Sequence, residues 1–173
     1  MSYLERSRRL GHNYDFTEVT FLSVGTVGEP GKRVFYLWAE YLGERLALKI
    51  EKTQVISLIQ FIAQLLEDLP RPKELPTPPP IPQDLEYDFI AGSIALAYDE
   101  LRDLIIIEIE EASAADDAST ALIGVSREQA AALAIEGTRA VEGGRPPCPL
   151  CGYPLDPNGH SCPRTNGHRA PNL

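Results

Sequence analysis

Apolar and polar residues alternate along two separate stretches of this chain, and in each stretch the alternation ends in a helical pattern. In the first stretch, alternation predicts strands over residues 21–27, 34–40 and 46–50, with turns at glycine-rich positions between them. A helix is predicted over about residues 52–69, because apolar residues then recur every three or four positions. The first stretch is therefore a β-β-β-α unit.

The second stretch repeats this order. Strands are predicted over residues 89–98 and 104–110, with a short third strand over 122–125. A helix is predicted to begin at Ser126 and to run to about Glu142, because Ser126-Arg-Glu-Gln129 is a capping-box sequence. We therefore predict an α+β fold made of two β-β-β-α units.

The two units resemble a diverged internal duplication. Ile50-Glu-Lys-Thr-Gln54 matches Val125-Ser-Arg-Glu-Gln129 at the two strand-to-helix junctions. The second helix has small inner residues that could accept the leucine-rich first helix, so a pseudo-twofold arrangement would let each half cover the other. The alternative is that two similar patterns arose by chance in an α+β chain of this length.

A proline-rich segment separates the two units. Seven of the 15 prolines lie within residues 70–82, which excludes helix and sheet interior there and predicts a stiff connector. A docking role for this polyproline segment is the alternative. The predicted organisation is an N-terminal arm (1–18), an α+β domain (19–143) with halves 19–69 and 84–143 joined by a proline-rich linker (70–83), and a zinc-binding tail (144–173).

The negative charge is concentrated in the second half. The chain has 173 residues and a net charge of −9, and residues 86–117 contain ten acids against one base, Arg102. Such a surface repels phosphate backbones, so nucleic acid is an improbable ligand, whereas a basic protein partner would be attracted. The simpler interpretation is a solvated face that keeps the protein soluble.

The sequence also bears on location. No apolar run approaches the roughly 20 residues of a membrane-spanning helix, and no apolar segment of signal-peptide type follows the first charges. All three cysteines are packed together, which fits a reducing compartment better than a disulfide framework. We therefore expect a cytoplasmic protein with no membrane partner.

All three cysteines lie in the last thirty residues, at the spacing of metal ligands. Cys148 and Cys151 form a C-x2-C knuckle, and His160 and Cys162 follow after a short turn. Thiolates and imidazoles are the ligands of tetrahedral structural zinc. The fourth ligand is either His160 or His168; the turn pair Asn158-Gly159 favours His160, whereas His168 lies close to the end of the tail. We predict one structural zinc, which holds together a segment too short and too proline-rich to fold by itself.

Catalytic patterns fit less well. Pro147-Cys-Pro-Leu-Cys151 matches half of the zinc deaminase signature, but the upstream H-x-E is missing, because the only upstream histidine, His12, is followed by Asn-Tyr. A thioredoxin-like motif would precede a helix, whereas proline and glycine follow here. No catalytic residue is therefore predicted, which favours a non-enzymatic protein.

Two long motifs resemble a known family. They are Gly25-Thr-Val-Gly-Glu-Pro-Gly-x-Arg33-x-Phe35-x-Leu37-x-Ala39 and the tail motif from Gly144 to Gly167, together with Glu51-Lys-x-Gln54. They are similar to the bacterial family catalogued as domain of unknown function 3090. The resemblance implies a cytoplasmic bacterial protein and the ligand set Cys148, Cys151, His160 and Cys162, with His168 outside the motif. It implies no activity.

Two functions remain open at this stage. The first is a protein-interaction module that presents an acidic face and a zinc knuckle to a partner. The second is an enzyme or small-molecule binder with a pocket between the halves, near the glycine turn at 25–31, Arg33 and Glu51. The sequence favours the first and does not name a ligand.

Overall fold

The computed structural model describes residues 11–143, 148–151 and 162–165. In chain order the elements are β1 (Asn13–Phe16), β2 (Phe21–Val27), β3 (Val34–Tyr41), β4 (Glu44–Ile50), α1 (Lys52–Glu67), β5 (Phe89–Asp99), β6 (Leu104–Glu111), β7 (Thr120–Val125) and α2 (Arg127–Glu142), followed by a short 3-10 helix (Pro163–Thr165). The α+β class and the two β-β-β-α units are confirmed. Strand β1 was not predicted, although Tyr14 and Phe16 alternate with polar residues there. Within the described residues, no helix is long and apolar enough to cross a membrane.

All seven strands form one sheet in the order β1-β7-β6-β5-β4-β3-β2. Strands β2 to β4 and β5 to β7 are two antiparallel meanders, and β4 and β5 join them in parallel, with Leu48 opposite Phe89. Helix α1 connects these two parallel strands, as a crossover helix does in a βαβ unit. The two meanders therefore follow each other in the same direction along the sheet.

The two edges of this sheet meet at the four residues between β1 and β2. Strand β1 pairs in parallel with β7, and the amide of Val19 donates to the carbonyl of Gly124 on the same strand at 3.1 Å. The next amide, that of Thr20, donates to the carbonyl of Glu40 on β3 at 2.7 Å. Adjacent residues thus bond to β7 and β3, which are each the second strand from an edge, so the sheet curls until its edges converge.

The inner face of the curled sheet packs against both helices. One buried cluster includes side chains from every strand and from both helices, among them Phe16, Leu37, Ile107, Ile62 and Leu133. These five side chains are at most 1% exposed, which makes this cluster the main core of the protein.

The small residues of α2 allow close contact with α1, as predicted. A Cβ atom at Gly137 would lie 2.8 Å from the Cδ1 atom of Ile59 on α1, closer than such contacts allow. Glycine at this position therefore lets the two helix backbones approach each other.

In each helix, one glutamine of the first turn connects the helix to the start of a meander. The Gln54 amide, in the first turn of α1, donates to the carbonyls of Ala91 and Gly92 at a β-bulge in β5. The Gln129 amide, in the first turn of α2, donates to the carbonyl of Val19 at 2.9 Å, just before β2. Their side-chain oxygens accept the N-cap amides of their own helices, as in a capping box. These contacts correspond between the halves, but the pseudo-twofold arrangement is not confirmed and stays a prediction.

The proline-rich segment packs against the outer face of the first meander. The Ser23 hydroxyl donates to the carbonyl of Pro79 at 2.6 Å, and Ile81 forms a buried cluster with Tyr36, Trp38 and Ala47. Ile81 and Trp38 are each only 8% exposed. The segment therefore shields an aromatic surface from water as well as connecting the halves.

A side-chain network joins the β5–β6 turn to α2. The Tyr98 hydroxyl donates to Asp103 at 2.7 Å, and the Arg127 guanidinium binds the same carboxylate with two nitrogens while donating to the carbonyl of Pro70. The Arg127 guanidinium and the Tyr98 hydroxyl lower the pKa of Asp103, whereas bonding to this carboxylate raises the pKa of Tyr98. Because the folded-state pKa of Asp103 is lowered, its stabilising effect is present above its ordinary pKa and is lost as the pH falls through the lowered value.

Replacing Ile81 with alanine should destabilise the protein and expose its single tryptophan. The change removes an aliphatic side chain from the outer cluster, which should lower the free energy of unfolding by about 2 kcal/mol. Trp38 fluorescence should shift to longer wavelength and become more sensitive to acrylamide quenching. Thr77→Ala in the same segment, at an exposed position, is the matched control and should leave both measurements unchanged. A wild-type fluorescence spectrum in Ile81→Ala would show that the segment does not cover Trp38 in solution.

Candidate metal centre

The three cysteines come together although fourteen residues separate the first from the last. The Sγ atoms of Cys148 and Cys162 are 4.0 Å apart, and the Sγ atoms of all three cysteines lie within 4.8 Å of one another. A disulfide bond is about 2.05 Å long, so these sulfurs are not bonded to each other. Zinc bound by thiolates at about 2.3 Å would place its sulfurs roughly 3.8 Å apart. The cluster thus has the dimensions of a metal centre and could hold a metal ion.

Local sequence explains this arrangement. Pro149 and Leu150 form a turn between Cys148 and Cys151, which directs both sulfurs to one side. Cys162 lies directly before the short 3-10 helix that begins at Pro163. None of the three cysteines therefore lies within a strand or a helix.

Burial of the thiols agrees with metal binding. Cys148 is 2% exposed and Cys162 is fully buried, whereas Cys151 is half-buried. Their cluster shares no buried residue with the main core in the described part of the chain. Buried thiolates are costly unless a cation compensates their charge, and a metal ion supplies that compensation.

The predicted fourth ligand is not among the residues that the structure describes. His160 and its alternative His168 both lie outside the described ranges. The ligand set Cys148, Cys151, His160 and Cys162 therefore stays a prediction, of which the structure brings the three cysteines together.

Comparison with known proteins identifies the family. The sequence profile of the family described as "Protein of unknown function (DUF3090)" matches residues 14–162. The chain belongs to this family. The match covers the sheet, both helices and all three cysteines, and it confirms the resemblance seen in the sequence. No curated protein and no solved structure matches the chain.

The acidic residues of the second half lie in β5, in β6 and in the loops beside these strands. Several have structural roles: the Asp88 carboxylate accepts the amide of Ala47 at 2.9 Å, and the Glu111 carboxylate accepts that of Ser119 at 2.8 Å. Only Glu108 and Glu110 extend from the exposed side of β6. Eight of the ten acids of residues 86–117 are nevertheless exposed, all but Asp99 and Glu111.

The structure also reveals two features that the sequence patterns did not define. The first is the open face, which we define as the exposed outer side of the second meander and β1, formed by Asp15, Ala95, Ala97, Glu108, Glu110 and Leu122. The second is a cavity of about 580 Å³ lined by residues of both halves, including Arg33 and Glu51 as the sequence suggested, and also Val141 and Glu142 of α2. Strand alternation could have indicated the open face; only the packing of α2 places its last turn in the cavity.

Zinc content should depend on all three cysteines and on one histidine. The purified protein should contain about one zinc per chain, and Cys162→Ser should lose most of it because a thiolate ligand is gone. His160→Ala should lose zinc as well, while His168→Ala, the matched control, should keep it. Metal analysis and the thiolate absorption of the cobalt-substituted protein measure these outcomes. Zinc loss in His168→Ala with retention in His160→Ala would reverse the assignment.

Metal removal should leave the main domain folded. The main core contains no cysteine, and burial of leucine-sized side chains contributes about 1.5–3 kcal/mol each, so the sheet and helices should not need the metal. After chelation, the cooperative thermal transition and the Trp38 fluorescence should persist. Loss of that transition would show that the tail is part of the main fold.

Proposed function

We propose that this protein is a cytoplasmic bacterial zinc protein that works as a protein-interaction module rather than as a catalyst. In this proposal Cys148, Cys151, His160 and Cys162 hold a structural zinc. Four protein ligands leave no open coordination position, so the metal would stabilise the tail rather than activate a substrate. The open face would bind the partner.

The observation that carries this proposal is a difference between the two halves of one sheet. The outer face of the first meander is covered by the proline-rich segment, with Trp38 8% exposed, whereas on the second meander Leu122 is 38% exposed. Ala95 and Ala97 on the same side are exposed too. The second meander thus leaves its outer surface accessible, whereas the chain covers the outer surface of the first.

Charge and register favour a basic, extended partner. Asp15, Leu122, Glu108 and Ala95 lie opposite one another across β1, β7, β6 and β5. Glu110 is two residues further along β6, about 7 Å away. A segment with lysine or arginine at matching spacing could pair with the acids while its aliphatic stems lie over Leu122 and the alanines.

The proline-rich segment of this chain is an internal precedent. It lies against the outer side of a meander through one aliphatic residue, Ile81, and through the carbonyl of Pro79. An extended partner segment could use the same means on the open face. We infer that the partner segment makes few hydrogen bonds to the sheet and that its side chains contribute most of the binding free energy.

The test is a double charge reversal on the open face. A partner recovered from native cells with the wild-type protein should bind Glu108→Lys/Glu110→Lys at least tenfold more weakly, about 1.4 kcal/mol, because attraction becomes repulsion. Binding should also weaken from low to physiological salt, where the screening length is about 8 Å. Surface plasmon resonance with the purified partner measures both effects.

A matched double reversal elsewhere provides the control. Glu67 and Asp68 are exposed at the end of α1, and Glu67→Lys/Asp68→Lys changes the net charge equally. This variant should bind as the wild type does. An equal loss of binding in both variants would show that only the net charge matters. Unchanged binding in Glu108→Lys/Glu110→Lys would exclude the open face as the binding surface.

A further inference from the structure

The cavity between the halves differs in charge from the rest of the protein. It is lined by Gly31, Arg33, Val34, Phe35, Lys49, Ile50, Glu51, Lys52, Val141 and Glu142, so three cations and two acids border a volume of about 580 Å³. The whole chain carries a net charge of −9. A cavity with more cations than anions is therefore a local exception in an acidic protein.

The three cations are available to a ligand. Within the part of the chain that the structure describes, none of Arg33, Lys49 and Lys52 forms an ion pair with a carboxylate. The Arg33 guanidinium lies 5.7 Å from the centre of the Phe35 ring, which orients it without neutralising its charge. An anion bound in this cavity would be attracted by these positive charges.

The surroundings of the cations also suit an anion that carries an organic group. Lys52 is the first residue of α1, where the helix dipole favours negative charge, although the Glu51 side chain already takes part in a capping box at this helix end. Val34 and Val141 are partly exposed and supply apolar wall, and the volume lies within the range of small-molecule sites, about 300–1,000 Å³. A bare inorganic ion would leave most of this space unfilled.

The corresponding position in the second half provides an internal comparison. A hollow at the start of α2 is lined by Ser126 and Gln129, but it carries Glu18, Glu74 and Glu128. Both hollows lie at the first turn of a helix that follows a meander. Only the hollow at α1 has an excess of cations, so the helix start alone does not account for the difference.

We propose that the cavity at the start of α1 binds a small phosphate monoester with an apolar or aromatic body. Arg33 and Lys52 bind the phosphate at the mouth, and Val34 and Val141 contact the body. Because residues of both halves line the site, ligand binding stabilises their packing. This site is separate from the open face and from the cysteine cluster.

The proposal is tested by titrating the full-length protein with adenosine monophosphate, ribose 5-phosphate, adenosine and inorganic phosphate. Isothermal titration calorimetry and thermal unfolding should detect adenosine monophosphate most strongly, with weaker signals for ribose 5-phosphate and phosphate and none for adenosine. Lys52→Gln and Arg33→Gln should each weaken binding at least tenfold. Lys73→Gln, an exposed cation in the proline-rich segment, should not.

Three results would overturn the proposal. They are absence of binding by every phosphate compound, equal binding by adenosine and adenosine monophosphate, and wild-type affinity in both cavity variants. Circular dichroism and unfolding of each variant without ligand show whether a loss of binding reflects a loss of fold. If Arg33→Gln fails to fold, the affinity of Lys52→Gln tests the proposal, because Lys52 is at an exposed position.

Discussion

The fold depends on the four residues that connect β1 to β2. Val19 bonds to β7 and Thr20 bonds to β3, so one short stretch binds both ends of the strand order. A flat seven-stranded sheet would leave these edges far apart and open to pairing with other chains. Their convergence curls the sheet and creates a distinct inner face. Helices α1 and α2 pack against each other on that face. The contact between Gly137 and Ile59 follows from this geometry.

Curling also gives the sheet an outer face, and the two halves treat it differently. On the first meander, Tyr36 and Trp38 form a large aromatic surface that the chain covers with its own proline-rich segment. On the second, the corresponding side bears alanines, Leu122 and two glutamates, which water tolerates much better. Similar backbones thus carry a covered surface in one half and an accessible one in the other, because the outward side chains differ in size and charge.

The same divergence is seen at the starts of the two helices. Gln54 bonds to carbonyls of β5 and Gln129 bonds to the carbonyl of Val19 just before β2, so each helix is held to the start of a meander. Around them, the balance of charge differs: three cations and two acids line the cavity beside α1, and four acids and one cation line the hollow beside α2. The shared bonds preserve the architecture of both halves. The neighbouring side chains do not contribute to it, and the halves differ chemically in those side chains.

Local patterns in the sequence determined the elements and the thiolate cluster. Strand alternation, the Ser126-Gln129 capping box and the C-x2-C spacing depend on residues close in the chain, so the class of fold and the grouping of Cys148 with Cys151 could be predicted. The tertiary structure alone decided which distant residues meet. Strand β1 was missed because four residues carry little pattern, and its pairing with β7 joins positions more than a hundred residues apart. The sequence could not predict that Ile81 contacts Trp38 or that Val141 lines the cavity. Such contacts form only when the sheet curls, and no local periodicity encodes that closure.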